Sequence, residues 1–413
     1  MRSPADRMRQ WQRLCCLSGG IAILAVGQHV SAASAPLVAA LGDYQYALHA
    51  PGRLATDANA HLFITDPQAN QVVVTDIFGR TVDIRTGFAT PLGIAIDGTG
   101  NIYLGEEGTG SVSVFDPQWN LLYKLGQGDG EFLLPNHIAT ALITGGGTVY
   151  VADSRAGKIK AYTNGVLSLA FGSQGTNPGE LDFPTGIFVT TNREIYVVDQ
   201  NNNRIQIFNQ DGIFLRMFSL VSGIGGILYQ PGGRSQGITV DSLGRVYVAD
   251  SYQATVRIFD GQGALLSTLG TFGSGIGQFR SPTGLAIDRY NRLFVASANN
   301  SRVEVLGLDS FTHFIASQGN ANADWKSTVT YSVITGGVGP FTYQWQKNGQ
   351  NLADGTTISG STNATLILTG VTLEDIGNYS VTVSSPAGVV SGASTYLMVN
   401  QSHINPGSLI IVF

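Results

Sequence analysis

The stretch Gly237–Asp260, GITVDSLGRVYVADSYQATVRIFD, holds three short runs, ITVD, RVYVAD and TVRIFD, divided by segments too short for helices. β-branched and aromatic residues dominate each run, and apolar residues recur with the two-residue period of a strand. The unit is a meander of three antiparallel strands. One meander is marginal by itself, because so small a sheet cannot bury both of its faces. The chain meets that difficulty by repetition.

The same grammar recurs at Arg53–Asp76, Gly93–Asp116, His137–Thr163, Gly186–Asn209 and Gly284–Gly307. A proline precedes every copy, at Pro51, Pro91, Pro135, Pro184, Pro231 and Pro282, so successive starts lie 40, 44, 49, 47 and 51 residues apart. That period suits a propeller blade; three strands leave no room for two helices. A fourth strand follows in most copies, as in Asn120–Gly126, Gly165–Gly172 and Gly263–Gly270, and then a Gly-rich loop leads to the next proline. The last copy has no such strand of its own. Pro36–Pro51 reads as a fourth strand with its exit loop, so the N-terminal strand is expected beside Arg302–Leu306. The expectation is an all-β chain whose six-bladed propeller is closed by that strand, since an open ring would leave exposed edges.

The pattern P-x-G-I-x-x-D…G-x-I-Y-V-x-D-x-x-N-x-R-I-x-I-F resembles the NHL repeat. The resemblance covers residues 36–307, within a propeller domain set at 36–310. It rests on six copies agreeing in order and spacing. Charged residues make up only 12% of the chain, and its 53 glycines are spread through turns, as an all-β chain with many tight turns requires.

Residues 1–32 read as a secretory signal: Arg2, Arg7, Arg9 and Arg13 precede the short apolar run Cys15–Gly27, and Val30-Ser31-Ala32 offers a cleavage site. Both cysteines, Cys15 and Cys16, lie in it, so the mature chain has no disulfide. Four arginines against Asp6 give that segment +3, and its removal takes the net charge from −5 to −8. An acidic secreted protein is a poor polyanion binder, so the RNA binding of some NHL proteins does not transfer. No membrane insertion is expected once the signal is removed.

Past Phe311 the layout changes. Thr328–Val333, Thr342–Trp345, Ala364–Leu368 and Tyr379–Val383 are strands of another kind, and Trp345, Asp375, Gly377 and Tyr379 stand at telling positions. The segment 315–399 resembles an immunoglobulin-like sandwich. The resemblance implies that Trp345 is the core tryptophan of the third strand and Tyr379 the tyrosine corner, with Asp375 in the turn before it. Val333 and Val381 stand where such domains place two cysteines, so apolar packing takes over from the bridge. Residues 400–413 read as an extra strand or a tail.

Several residues are candidates for chemistry. Asp66, Glu106, Asp153, Asp199, Asp250 and Ser297 end the second strand of successive blades, and Asp57, Asp97, Asp241 and Asp288 end the first. Asp153, Asp199 and Asp250 are the candidates for a cation such as calcium, against the stronger reading that each carboxylate caps a turn by accepting local N–H groups. Among histidines, His49, His61 and His137 fall near the ring. Some six-bladed NHL-like enzymes, the peptide-amidating lyases, set zinc on three channel histidines. His137 follows a blade-start proline, but Leu92, Thr185 and Thr283 are read at the matching places, and one ligand is not a site. Lys158, Arg204 and Arg302 share a repeated position and form either a partner-facing stripe or pairs with nearby acids. Asn201–Asn203 suit a tight turn. Phosphate loops, nucleophile elbows and His-Glu-x-x-His are absent from the sequence.

These readings point to a monomeric, non-catalytic binding scaffold, secreted, periplasmic or on the cell surface. A propeller face would meet a protein or glycan, with His137, Lys158, Arg204 and Arg302 as candidate contacts and the sandwich as spacer or adhesion module. The alternative is a secreted metal-dependent lyase or hydrolase using channel acids with His137.

Overall fold

The computed structural model describes residues 37–41, 48–76, 79–141, 147–220, 235–275, 277–308, 313–318, 322–336, 341–385 and 388–400. The signal expected at 1–32, the turn at Gly337–Pro340, Pro231 and the segment 401–413 lie outside these residues. Among the described residues no helix is long and apolar enough to cross a membrane.

Six four-stranded antiparallel sheets form the blades. Blade one is Leu54–Thr56, Leu62–Asp66, Gln71–Thr75 and Thr81–Thr86. Blades two to five begin at Pro91, Pro135, Pro184 and Ser235, each running inner to outer strand in chain order. Blade six takes Pro282–Ile287, Arg292–Ser297 and Arg302–Gly307 from one end of the propeller sequence, and its outer strand, Leu37–Leu41, from the other. That strand runs antiparallel to Arg302–Gly307, with Leu37 opposite Leu306 and Leu41 opposite Val303.

The packing follows from the strand pattern. Val72, Val112, Ile159, Ile205, Val256 and Val303 occupy one position, the second residue of the third strand, and each is 0% exposed. Burying such a side chain is worth about 1.5–3 kcal/mol, which is why the repeat keeps a branched apolar residue there. Apolar clusters fill the seams between neighbouring blades. One joins Leu54, Ile64 and Val73 of blade one to Phe294, Val303 and Val305 of blade six; another joins Ile94 and Leu104 of blade two to Val72 and Val74 of blade one.

The C-terminal strands form two sheets. One orders His313–Gln318, Thr328–Gly336, Thr365–Thr369 and Ile358–Ser359; the other orders Asn322–Asp324, Gly388–Asn400, Gly377–Ser385, Thr342–Lys347 and Gln350–Asn351. Trp345 is 2% exposed at the centre of their shared core and donates from Nε1 to the Asn363 carbonyl at 2.8 Å. Tyr379 donates from its hydroxyl to the Asp375 carbonyl at 2.8 Å, the contact that defines a tyrosine corner. The Asp375 carboxylate accepts the Thr372 N–H at 2.7 Å. Val333 and Val381 share that core. The sequence reading had missed Tyr331, whose ring stacks on Tyr379 at 5.2 Å and meets Trp345 at 6.1 Å. An aromatic stack thus fills the centre of a sandwich that has no cysteine pair.

Candidate functional site

The inner strands explain the proline-x-glycine motif. A Cβ built on Gly186 would lie 2.7 Å from the Gln236 carbonyl, and one on Gly284 2.3 Å from the Gly52 carbonyl. Each glycine lets its inner strand touch the next one. Cross-strand pairing places His137 one position further along its blade than the expected match to Leu92, Thr185 and Thr283 implies. His137 faces Ala152 just as Gly186 faces Val198, so His137 stands in the glycine slot, and Asn136 is the residue that matches Leu92, Thr185 and Thr283. Blade one carries Arg53 in the same slot. Two of six close-approach positions therefore hold large polar side chains, and the sequence signal for both was a missing glycine.

Arg53 is 3% exposed and spans the channel. Its guanidinium donates to the Thr283 carbonyl of blade six at 2.8 Å, the Thr185 carbonyl of blade four at 2.9 Å and the Asn136 carbonyl of blade three at 3.3 Å. Asn136 Oδ1 and Gln236 Oε1 complete the set. Among the described residues no carboxylate forms an ion pair with Arg53. Burial lowers its pKa to about 10, which leaves it charged at neutral pH. His137 Nδ1 accepts the Ile187 N–H at 2.9 Å, so the neutral ring carries its proton on Nε2. Burial first, and then the Arg53 charge, hold its pKa well below 6.5. A fixed cation occupies this end of the channel, where a bound metal ion would be repelled.

The second-strand acids of blades one to four anchor their blades to the loops that enter them, while Asp250 of blade five accepts the N–H groups of Tyr252 and Gln253 in its own turn at 3.1 and 3.0 Å. Asp66 accepts the N–H groups of His49 and Ala50 at 2.7 and 3.1 Å, Glu106 that of Ala89 at 2.8 Å, Asp153 that of Leu134 at 2.9 Å and Asp199 that of Asp182 at 2.7 Å. In blade six Ser297 Oγ accepts the Arg280 N–H at 2.9 Å. These partners lie 16 to 19 residues upstream, so the local-turn reading fits Asp250 and the first-strand acids better. Asp241 Oδ1, for example, accepts from Leu243 and Arg245 at 3.0 and 2.9 Å.

The basic residues complete these anchors. Arg204 pairs with Asp199 at 2.7 Å and donates to the carbonyls of Thr176, Asn177 and Glu180 in the preceding loop. Arg302 pairs with Glu304 and donates to the carbonyls of Ser274 and Gly275. Lys158 is exposed, and the clamp of blade three is Lys160, 3.3 Å from Asp153. In blade five Arg257 pairs with Asp250 at 3.1 Å. Asp153, Asp199 and Asp250 thus each hold a cation of their own blade. Among the described residues no three His, Cys, Asp or Glu side chains are placed to share a metal. Asn202 Nδ2 donates to Asp199 at 2.9 Å, part of the same turn.

The other end of the channel is different. The turns between first and second strands border two adjoining clefts, of about 390 Å³ between blades one and two and about 170 Å³ between blades two and three. Asp57, Asp83, Asp97 and Trp119 line the larger, and Tyr103 and Tyr123 the smaller. His61 Nδ1 lies 2.7 Å from Asp57 in the larger cleft.

Comparison with known proteins agrees with this architecture. The family model described as NHL repeat matches residues 181–208, and that described as immunoglobulin domain matches residues 313–385. The chain is 30% identical over 145 residues to Protein brain tumor of Drosophila melanogaster, a match covering 34% of this chain and 13% of that protein. It is 28% identical over 94 residues to the E3 ubiquitin-protein ligase TRIM32 of Mus musculus, covering 21% of this chain and 14% of that one. The matches thus span a small part of these relatives. A structural genomics protein from Bacteroides thetaiotaomicron superposes with a TM-score of 0.51 at 19% identity, over 66% of this chain and 73% of that one. A gluconolactonase from Xanthomonas campestris gives 0.48 at 20% identity, over 66% and 91%. The described chain is a β-propeller of four-stranded blades in which residues 181–208 match the NHL repeat, followed by an immunoglobulin-like sandwich.

Proposed function

We propose that this chain is an exported, non-catalytic interaction scaffold whose propeller engages a protein partner at one face, with the sandwich as spacer or second contact. The observation that carries the reading is Arg53, a buried guanidinium bonded to three other blades' carbonyls in the channel. A metal-dependent lyase or hydrolase needs several donor ligands around an open coordination position there, and in this chain a fixed cation stands in that place. The candidate contacts Arg204 and Arg302 are engaged in loop clamps, which leaves the cleft-bearing face as the better place for a partner. The likeness to a ubiquitin-protein ligase, whose name describes action on protein, supports a protein ligand in general terms.

The test is a peptide-display selection on the purified full chain, run beside metal analysis. Enriched peptides that bind saturably, with no stoichiometric metal, support the scaffold. A bound divalent metal, or turnover of a substrate that is lost in His137→Gln, would overturn it.

A further inference from the structure

We infer that the cleft between blades one and two receives an arginine- or lysine-bearing segment of the partner, with Trp119 and the surrounding carboxylates as its recognition surface. The inference rests on the protein-binding reading above and adds the chemistry of the ligand.

Trp119 is out of place by the logic of the repeat. In the turn between third and fourth strands, one residue closes a hydrogen bond back to an Asp or Asn three residues earlier. Gly79, Gly212 and Gly263 do so with φ of 80°, 75° and 91°. In blade two that residue is Trp119, with φ of 65° and its N–H 2.9 Å from the Asp116 carbonyl. A bulky side chain in the left-handed region is an outlier held against a conformational cost, and such outliers concentrate at ligand sites. The indole is half-buried. Phe115, Phe88 and Phe63 lie 5.5, 6.0 and 6.4 Å from it, which fixes its orientation.

The charges say what the ring would meet. The Arg85 guanidinium already lies 5.8 Å from the Trp119 ring centre and donates to Asp83 at 2.8 Å. Ring and carboxylate therefore hold a guanidinium supplied by the chain itself, in a surface pair with Arg85 44% and Asp83 32% exposed. So exposed a pair is easily exchanged. The acids of this corner also lack the arginines that serve their counterparts. Asp241 and Asp288 pair with Arg245 and Arg292 four residues on, at 2.6 and 2.7 Å. In blade two Asn101 stands in that place beside Asp97, and Asn120 follows Asp116 where blade one sets Arg80 after Asp76. Burial pushes the Asp97 carboxyl up, but hydrogen bonds from Thr99 and Asn101 outweigh it and hold the group below its ordinary range. Asp97 borders both clefts. An aromatic face beside excess carboxylate attracts a cationic side chain; a neutral glycan would gain nothing from the charge.

The experiment titrates the purified full chain with a blocked Arg-Gly-Arg-Gly-Arg peptide, its glutamate counterpart and maltohexaose. Binding is followed by calorimetry. The arginine peptide should bind at least about tenfold tighter than the glutamate one, and binding should weaken as salt rises. Trp119→Gly restores the residue of the sibling turns and should abolish binding while leaving the unfolding transition in place. Arg85→Ala should tighten binding by vacating the ring. Asp83→Asn with Asp97→Asn, both near the surface, should weaken it and provides a reading should Trp119→Gly fold poorly. Equal affinity for the two peptides, preference for maltohexaose, or binding insensitive to both sets of changes would overturn the inference. If displayed peptides bind but ignore these changes, only this site fails; if no peptide binds anywhere, the scaffold reading fails with it.

Discussion

Blades four and six fasten the same loop with their charges in different places. In blade four the acid ends the second strand, Asp199, and the third strand offers Arg204 and Gln206 to it at 2.7 and 3.0 Å. In blade six the second strand ends in Ser297, and the acid has moved to Glu304, the place of Gln206, where it pairs with Arg302. Both arginines reach the carbonyls of the preceding loop. The repeat therefore preserves a spatial arrangement, one cation held by one anion over a loop, and not an identity at each position. The two solutions are not equivalent in cost. Asp199 is surrounded by donors, whereas Glu304 Oε2 is buried with no hydrogen-bond partner among the described residues. Burial raises the Glu304 pKa despite Arg302.

The largest test of that difference is to remove each anchor. Asp199→Ala leaves Arg204 as a buried cation without its anion and should cost about 3–5 kcal/mol, as other broken buried pairs do. Ser297→Ala removes two neutral hydrogen bonds to the Arg280 backbone and should cost about 1–2 kcal/mol. Urea denaturation of the two variants gives the comparison, and similar losses would mean that the two clamps are not distinct. A transplant is the next step. Ser297→Asp alone sets a second carboxylate beside Glu304, and raising either by one pKa unit costs about 1.4 kcal/mol. Adding Glu304→Gln recreates the blade-four arrangement and should restore the lost stability; failure to recover would show that position, not charge balance, decides.

Much of this was legible in the residues, and the limits are instructive. The strands were legible because alternation and β-branching are local properties, and Asp375 and Tyr379 because their spacing is fixed by one turn. The first-strand acids Asp241 and Asp288 were read correctly as turn caps, since their donors lie within four residues. Among the second-strand acids the turn reading fits Asp250, which accepts from Tyr252 and Gln253, whereas Asp153 takes donors from a loop about twenty residues upstream, beyond the reach of local pattern. Lys158 drew attention in place of Lys160 because the two stand two residues apart and so share one face of the strand; the long side chain of Lys160 is the one that reaches Asp153. Arg53 escaped notice because its partners Asn136, Thr185 and Thr283 are up to 230 residues away.

Acid provides a subtler contrast between the clamps. The folded-state pKa of Glu304 is raised, so the folded protein holds that proton more tightly than the unfolded chain. Its contribution is favourable below the ordinary glutamate pKa of 4.5 and is lost as pH rises through the folded value. Relative to Glu304→Gln, the native chain should gain stability as pH falls toward 4.5. A difference curve that is flat with pH would remove the claimed penalty on blade six.

The smallest expected effect separates the plugged end of the channel from the clamps. His137 has a folded pKa well below 6.5, so below that pH the unfolded chain takes up a proton that the folded chain refuses. Unfolding then binds protons, and stability falls as pH drops from about 6.5 toward the folded value, by at most about 1.4 kcal/mol per pH unit. His137→Gln keeps an acceptor for the Ile187 N–H and cannot ionise. The difference between the two proteins in urea midpoint, measured from pH 7.5 to 5, should be flat above 6.5 and turn against the native chain below it. Glu304 acts in the opposite direction and is present in both proteins, so it cancels from the difference. If the native chain instead gained on the glutamine variant as pH fell, His137 would be protonated in the folded state, and Arg53 could not be the uncompensated cation that closes that end of the channel to a metal.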